Sequence, residues 1–215
     1  MNQYSVQPIK PVEATPWILE KHYAKRMPTI SHAFGLYRGV ELCGVVTYGV
    51  PASPFLCIGV CGPEHKDIVL ELNRLCLMDG IPNGASFLVA RSLKMLPCPT
   101  VVVSYADTAM GHVGYIYQAA NFLFTGTTKE RTDMAAGDGK HSRHHKGDPE
   151  DRVSRSAKHR YVYFVGTKTQ KQALSAALRY QVEPYPKGES KRYDAGGHVP
   201  TQPLLFPALN EEWTV

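Results

Sequence analysis

Four polar residues, Ser104, Tyr105, Asp107 and Thr108, follow directly on the β-branched run Val101, Val102 and Val103. Such a run marks a buried strand. After Gly111 the pattern changes, and Tyr115, Ile116, Ala119, Ala120 and Phe122 recur at helical spacing. A buried strand that ends in polar groups and hands over to a helix sets those groups at the carboxyl edge of a sheet, where open α/β sheets bind ligands. A carboxylate beside a serine and a tyrosine can orient a nucleophile or accept its proton. The same residues also suit plain capping of a strand-loop-helix connection by Ser104 and Asp107. His22 is open to two readings of its own. With Tyr23 it sits near the end of a helix beside Lys25 and Arg26, as a C-cap favoured by the helix dipole or as a working side chain.

The elements that must position these groups can be read in order. Thr15 and Pro16 suit an N-cap and first helical position, Trp17, Ile18 and Tyr23 an inward face, and Pro28 a stop. Residues 31–51 read as a hairpin turning at Arg38-Gly39, and residues 51–63 as a loop. The next strand is 68–77, with Leu70, Leu72, Cys76 and Leu77 suited to burial and Glu71, Asn73 and Arg74 pointing elsewhere. Residues 83–86 can cap a helix over 87–96, whose N-terminus could hold an anion. A short strand at 123–126 leads into a long exposed loop, 127–157. The last strand, from Lys158, puts Tyr161, Tyr163 and Val165 on one face and Val162 and Phe164 on the other. A short helix over 169–180 precedes a Pro- and Gly-rich tail that could dock through Leu204, Leu205, Phe206 and Trp213. The order predicts a single-domain mixed α/β sheet with helices on both faces: a core over 1–186, a basic loop insertion at 127–157, and an extended tail over 187–215.

Composition narrows the function classes. A chain of 215 residues, 43% of them hydrophobic, is ample for one core. No apolar run is long enough to span a membrane, and the N-terminal residues do not resemble a secretory signal. Five cysteines, an odd number in apolar contexts, read as reduced thiols of a cytosolic protein. The net charge of +5 is compatible with nucleic acid. Its cations concentrate at Lys140, Arg143, Lys146, Arg152, Arg155, Lys158 and Arg160, among His141, His144, His145 and His159. That stretch reads as a phosphate-binding surface or as a solvated loop. His141, His144, His145 and Asp148 alternate with Arg and Lys in a Gly-rich setting without cysteine, so no metal is expected there.

The stretches HYAKRMP, GVVTYGVP, ELNRLCL, SYADTAMGHVGYIYQAANFLFTG, HSR and KHRYVYF, in this order, resemble the Mom family, DNA-modifying proteins of phage Mu and related phages and prophages. The likeness runs from about residue 17 to 186. The element order also resembles the GCN5-related N-acetyltransferase (GNAT) fold. The resemblance implies conversion of the exocyclic N6 amine of adenine in DNA to a carbamoylmethyl-amine, which shields phage DNA from host restriction, in the cytoplasm of the bacterial host. The loop that would cradle the coenzyme A pyrophosphate, residues 79–86, carries Asp79 and Pro82 and no Arg or Lys, which argues against acetyl-CoA as donor.

A carbamoylmethyl group is joined through carbon, so simple acetylation cannot make it. A glycyl group acylated onto N6 could rearrange. Its free amine attacks ring carbon C6, and the original nitrogen leaves as the amide. Glycyl-tRNA would serve as the activated donor, making double-stranded DNA and an aminoacyl-tRNA the expected partners. Asp107 is the first candidate for base or orienting carboxylate, with Ser104 beside it. His22 and Tyr23 are candidates for base, acid or base-stacking. Tyr117 stands where GNAT enzymes often keep a leaving-group acid, or is a core aromatic. Arg74 could hold the donor carbonyl or a phosphate, or form an ion pair with Glu71 or Asp107. Tyr105 is a stacking candidate, and Tyr48 would line the same cleft. Arg143, Lys146, Lys158, His159 and Arg160 are the expected DNA contacts. The N6 of a paired adenine is hidden, so base flipping is expected. Two other functions fit less of the pattern: a GNAT-like acyltransferase acting on a small-molecule or protein amine, and a non-catalytic DNA-binding accessory protein.

Overall fold

In the computed structural model, which describes residues 3–134 and 152–188, a seven-stranded sheet runs in the order β1-β2-β3-β4-β5-β9-β6. The strands are β1 (Tyr4–Pro8), β2 (His32–Arg38), β3 (Glu41–Gly49), β4 (Val69–Leu77), β5 (Thr100–Asp107), β6 (Leu123–Thr127) and β9 (Lys158–Val165). Every neighbouring pair is antiparallel except β4 and β5. A parallel pair needs a crossover, here supplied by the turn after Leu77 and helix α3 (Gly84–Leu93). The mixed sheet with helices on both faces agrees with the expectation from sequence.

Alternation along the strands sorts side chains into two layers. Val46, Tyr48, Leu72, Val102, Ala106, Tyr161 and Val165 pack beneath α3. On the opposite face Val69, Val101, Val103, Val162 and Phe164 meet helix α2 (Pro54–Cys61) and Leu174 of helix α5 (Lys168–Ala177). Val45 and Cys76 on that face meet Ala14 and Ile18.

Several elements differ from the reading by pattern. The chain opens with an edge strand, β1. The first helix starts at Pro11, not Pro16: α1 (Pro11–Pro16) is closed at its start by the Glu13 carboxylate, which accepts from the Lys10 N–H at 2.7 Å. Pro16 lies inside and lacks the N–H for a regular turn. The chain continues as a π-helical turn, Trp17–Lys21, in which the His22 N–H donates to the Trp17 carbonyl. The β2-β3 turn is formed by residues 39 and 40, with Gly39 at φ +61°. Residues 54–61, read as loop, form α2, begun by Pro54 at the first helical position after Ser53. The interval 127–157 is not all loop. Its described ends pair as a two-stranded ribbon, β7 (Arg131–Met134) with β8 (Arg152–Arg155). Residues 181–188 run along β6, where Glu183 N–H donates to Phe124 O and Tyr185 Oη to Phe122 O. The docking residues proposed for the tail lie outside the described residues.

Candidate active site at the parting of two strands

The register of β4 against β5 runs from Val69 opposite Val101 to Leu72 opposite Ser104, and stops there. Both strands continue, β4 to Leu77 and β5 to Asp107. The cause is local. The β3-β4 register shifts between Thr47 and Tyr48, so that Thr47 faces Arg74 while Tyr48 faces Leu72. Asn73 is the extra residue of a β-bulge, which bends a strand and reverses the faces beyond it. Its amide is fully used: Thr47 Oγ1 donates to Asn73 Oδ1 at 2.6 Å, and Asn73 Nδ2 donates to the Thr29 carbonyl at 2.8 Å. Gly49 lets that carbonyl approach, since a Cβ there would lie 1.9 Å from Thr29 O. The segment carrying His22 and Tyr23 is thereby seated across the end of the sheet.

Side chains from four parts of the chain converge on the opening. Glu71, Arg74, Asp107 and Tyr117 all lie within electrostatic reach of Tyr23, and Glu71 also of Tyr117. Arg74 forms neither of the ion pairs considered for it. Its Nε and Nη2 donate to the Arg26 carbonyl at 3.2 and 2.7 Å, and its Nη1 to the Asn73 carbonyl at 2.6 Å. Burial lowers its pKa. The Tyr23 hydroxyl is pushed well up, first by burial and then by Tyr117 and Asp107. Its ring stacks on His22 at 4.4 Å and meets His112 edge-on at 6.1 Å. His22 is nearly buried, and its Nδ1 accepts from the Ala24 N–H at 3.0 Å. In the neutral form the proton is therefore on Nε2.

Tyr117 comes from helix α4 (Tyr115–Ala119). Gly114 precedes it at φ +75°, where a Cβ would strike the Tyr161 ring at 2.3 Å. Tyr161 Oη in turn donates to Val113 O and accepts from Gln118 Nε2, fixing the helix. The Tyr117 hydroxyl is hydrogen-bonded to Ser104, and burial raises its pKa.

Asp107 does what the capping reading described, and more. Its carboxylate accepts from Ala109 N–H at 3.1 Å, Ser156 Oγ at 2.5 Å and Lys158 Nζ. Burial works against its charge, yet the bonds from Lys158 and Ser156 hold the carboxyl below the usual carboxylate range.

Ser104 adjoins the site through Tyr117, whereas Tyr48 and Tyr105 sit elsewhere. Ser104 is fully buried and donates to the Leu72 carbonyl at 3.0 Å, so it closes the last rung of the paired strands. Tyr48 does not line the opening. It is sealed under α3 with its hydroxyl 2.6 Å from Ser92 Oγ, on the inner face it shares with Val46 by alternation along β3. Tyr105 points to the opposite face from Ser104, beside Glu71 and Arg160, and burial pushes its hydroxyl up.

Of the expected DNA contacts, Lys158 is bound to Asp107. Arg160 is stacked over Tyr180 and donates to Thr125 Oγ1 and O, and His159 lies 2.8 Å from Thr127 Oγ1. These three are tied into the fold because β9 is an interior strand of the sheet. Arg143, Lys146 and the histidines considered for metal lie outside the described residues.

Sequence reasoning missed two groups. His112 joins Tyr23, and burial lowers its pKa. Glu71 was placed only as a partner for Arg74. Burial raises its carboxyl above the usual range, opposed by Arg74 and Lys158. The signal available was an acid in an otherwise apolar strand, LELNRLCL. A cavity between β1 and α3, lined by Tyr4, Phe87, Arg91 and Lys94 among others, lies at the sheet edge under the other face and holds no carboxylate. Among the described residues no helix is long and apolar enough to cross a membrane.

A protein of Escherichia phage Mu described as methylcarbamoylase mom is 28% identical over 190 residues, covering 79% of this chain and 78% of that protein. Among solved structures, an N-acetyltransferase from Staphylococcus aureus superposes at a TM-score of 0.46 with 15% identity, over 75% of this chain and 98% of that one. A ribosomal-protein-S5-alanine acetyltransferase from Vibrio fischeri superposes at 0.46 with 10% identity, over 78% and 96%. These last two are likenesses of outline. The family model described as the Mom protein family matches residues 3–187, nearly the whole described chain, and the protein belongs to that family.

Proposed function

We propose that this protein is a transferase that modifies the N6 amine of adenine in DNA to a carbamoylmethyl-amine, using the opening between β4 and β5 to bring a flipped base and an activated glycyl group together. The observation that carries this reading is the convergence of Tyr23, Glu71, Arg74, Asp107 and Tyr117 where the two strands part. The similarity to a relative named methylcarbamoylase supports the product.

Adenine N6 is a weak nucleophile because its lone pair is delocalised, so attack on an acyl carbon needs a proton acceptor. Glu71 suits that role better than Asp107. A carboxyl raised by burial is the stronger proton acceptor of the two, whereas Asp107 is held ionised by Lys158 and Ser156. In this reading Asp107 is a positioning residue, and Tyr117 donates to the departing oxygen of the donor ester. Arg74 fixes the segment before Pro28, and through it the Tyr23 ring, which stacks on the base. A glycyl group accounts for the atoms of the product, and glycyl-tRNA is its proposed activated form. The acid and proline of residues 79–86, at the start of α3, disfavour a pyrophosphate.

Mass spectrometry of nucleosides from plasmid DNA of expressing cells tests the reading. A deoxyadenosine heavier by one carbamoylmethyl group is the expected result. Unmodified DNA from cells holding folded protein would reject it. Labelled glycine charged on tRNA, supplied to purified protein with DNA, tests the donor: label is expected in adenine, and its absence from modified adenine would exclude this route.

A further inference from the structure

The described ends of the interval 127–157 carry a feature that the reaction does not use. β7 and β8 pair only with each other, apart from the main sheet. Their register sets Arg131 opposite Arg155 and Thr132 opposite Ser154. Arg131, Thr132 and Ser154 are exposed and Arg155 is half-buried, so neither rung buries an apolar side chain. An isolated two-stranded ribbon is marginal in water.

This ribbon is nevertheless held firmly at its root. Thr108 donates to the Ala157 carbonyl through both its N–H and its Oγ1, Ser156 and Lys158 grip Asp107, and Lys158 N–H donates to Thr128 Oγ1. These contacts tie it to the end of β5, at the edge of the opening. Arg131 lies close enough to Tyr105 to act on its hydroxyl.

We propose that the β7-β8 ribbon seats in the major groove of a DNA duplex, with Arg131 and Arg155 together on its phosphates, so that the clasp at Asp107 fixes the distance from groove to opening. This rests on the reading of DNA as substrate. Two strands about 4.8 Å apart, with their side chains, fit a major groove about 12 Å wide; the minor groove, about 6 Å wide, is too narrow. Paired guanidinium groups suit phosphate oxygens, and the hydroxyls of Thr132 and Ser154 are further donors of the kind that contact the backbone.

The test is binding of a fluorescein-labelled duplex across a salt series, for the wild-type chain, the double variant Arg131→Ala/Arg155→Ala and the control Arg131→Lys/Arg155→Lys. The Ala variant is expected to lose at least tenfold in affinity, and its log-log salt slope to fall by about 1.8, the release expected for two phosphates. The Lys control should keep the slope, which separates lost charge from lost folding. An Ala variant with wild-type slope and affinity would overturn the proposal, as would an equal loss on a single-stranded oligonucleotide. If plasmid adenine is modified while the Ala variant binds duplex normally, only the ribbon proposal falls. If the wild-type chain shows no salt-dependent duplex binding, the proposed function falls with it.

Discussion

The two faces of the sheet treat polar residues differently at the same height. Under α3, Tyr48 and Ser92 are sealed and bond each other, while buried Ser104 bonds the Leu72 carbonyl and the Tyr117 hydroxyl. On the other face Glu71, Arg74 and Asp107 gather as charges around a gap that the bulge at Asn73 opens. One strand supplies both environments within three residues, Leu72 to Arg74. A bulge reverses which side chains meet the core. It thus turns a position that alternation would assign to the core, Arg74, toward the site. Sealed polar groups satisfied by neighbours specify packing. Buried charges beside a gap keep the capacity for proton transfer.

Four substitutions would sharpen or break this contrast. The largest effect is expected at Glu71. Glu71→Gln should lower adenine modification by about 10²- to 10⁴-fold, the usual contribution of a positioned base, with folding intact. Its pH signature has a defined sign. The folded-state pKa of Glu71 is raised by burial, so wild-type stability relative to the Gln variant is greatest below the ordinary Glu range. It declines as pH rises through the folded value, which paired denaturation curves from pH 4 to 8 would read.

On the sealed face, Leu72→Ala removes a side chain that is 4% exposed and should cost about 2–5 kcal/mol in chemical denaturation, without altering the mass of the product. Next in size is Asp107→Asn. The folded pKa of Asp107 is lowered, so the wild type's stability advantage should be full above the ordinary Asp range and vanish as pH falls through the folded value. Thermal melts from pH 7 down to 3 check the sign. The smallest is Tyr48→Phe. It takes a partner from Ser92, which still donates to the Val89 carbonyl at 3.0 Å. About 1 kcal/mol of stability should be lost, with modification unchanged.

The strands with long apolar or alternating patterns were legible in the sequence. The 101–107 run, the two faces of β9 and the mixed order of elements all follow from period-two spacing and β-branched content. What could not be read has physical reasons. Pro11 and Pro16 are both acceptable near a helix start, and only the Glu13 contact to Lys10 N–H selects the first. Residues 54–61 carry apolar side chains nearly all round, so no helical stripe stands out against the surrounding prolines.

The candidate site was half legible. Asp107, Tyr117, Tyr23 and Arg74 were found because they are polar or aromatic at strand and helix ends, and the structure gathers them. Tyr48 was misplaced although alternation from Val46 along β3 puts it inside, Glu71 was overlooked among apolar neighbours, and only the turn of Arg74 toward the site was beyond a local reading. The bulge at Asn73 depends on the amide contacts to Thr47 and Thr29, from distant parts of the chain, and it shifts the register that assigns residues to faces. The cations of β9 were read as surface by their charge, whereas sheet order makes β9 interior and turns Arg160 onto Tyr180.

The most direct test compares the two faces in one assay: nucleoside mass spectrometry of plasmid DNA from cells making the wild-type chain, Glu71→Gln or Tyr48→Phe, each shown to be folded. The account predicts carbamoylmethyl-adenine with the wild type and Tyr48→Phe and about a hundredfold less or lower still with Glu71→Gln. Equal modification by all three, or its loss with folded Tyr48→Phe alone, would contradict it.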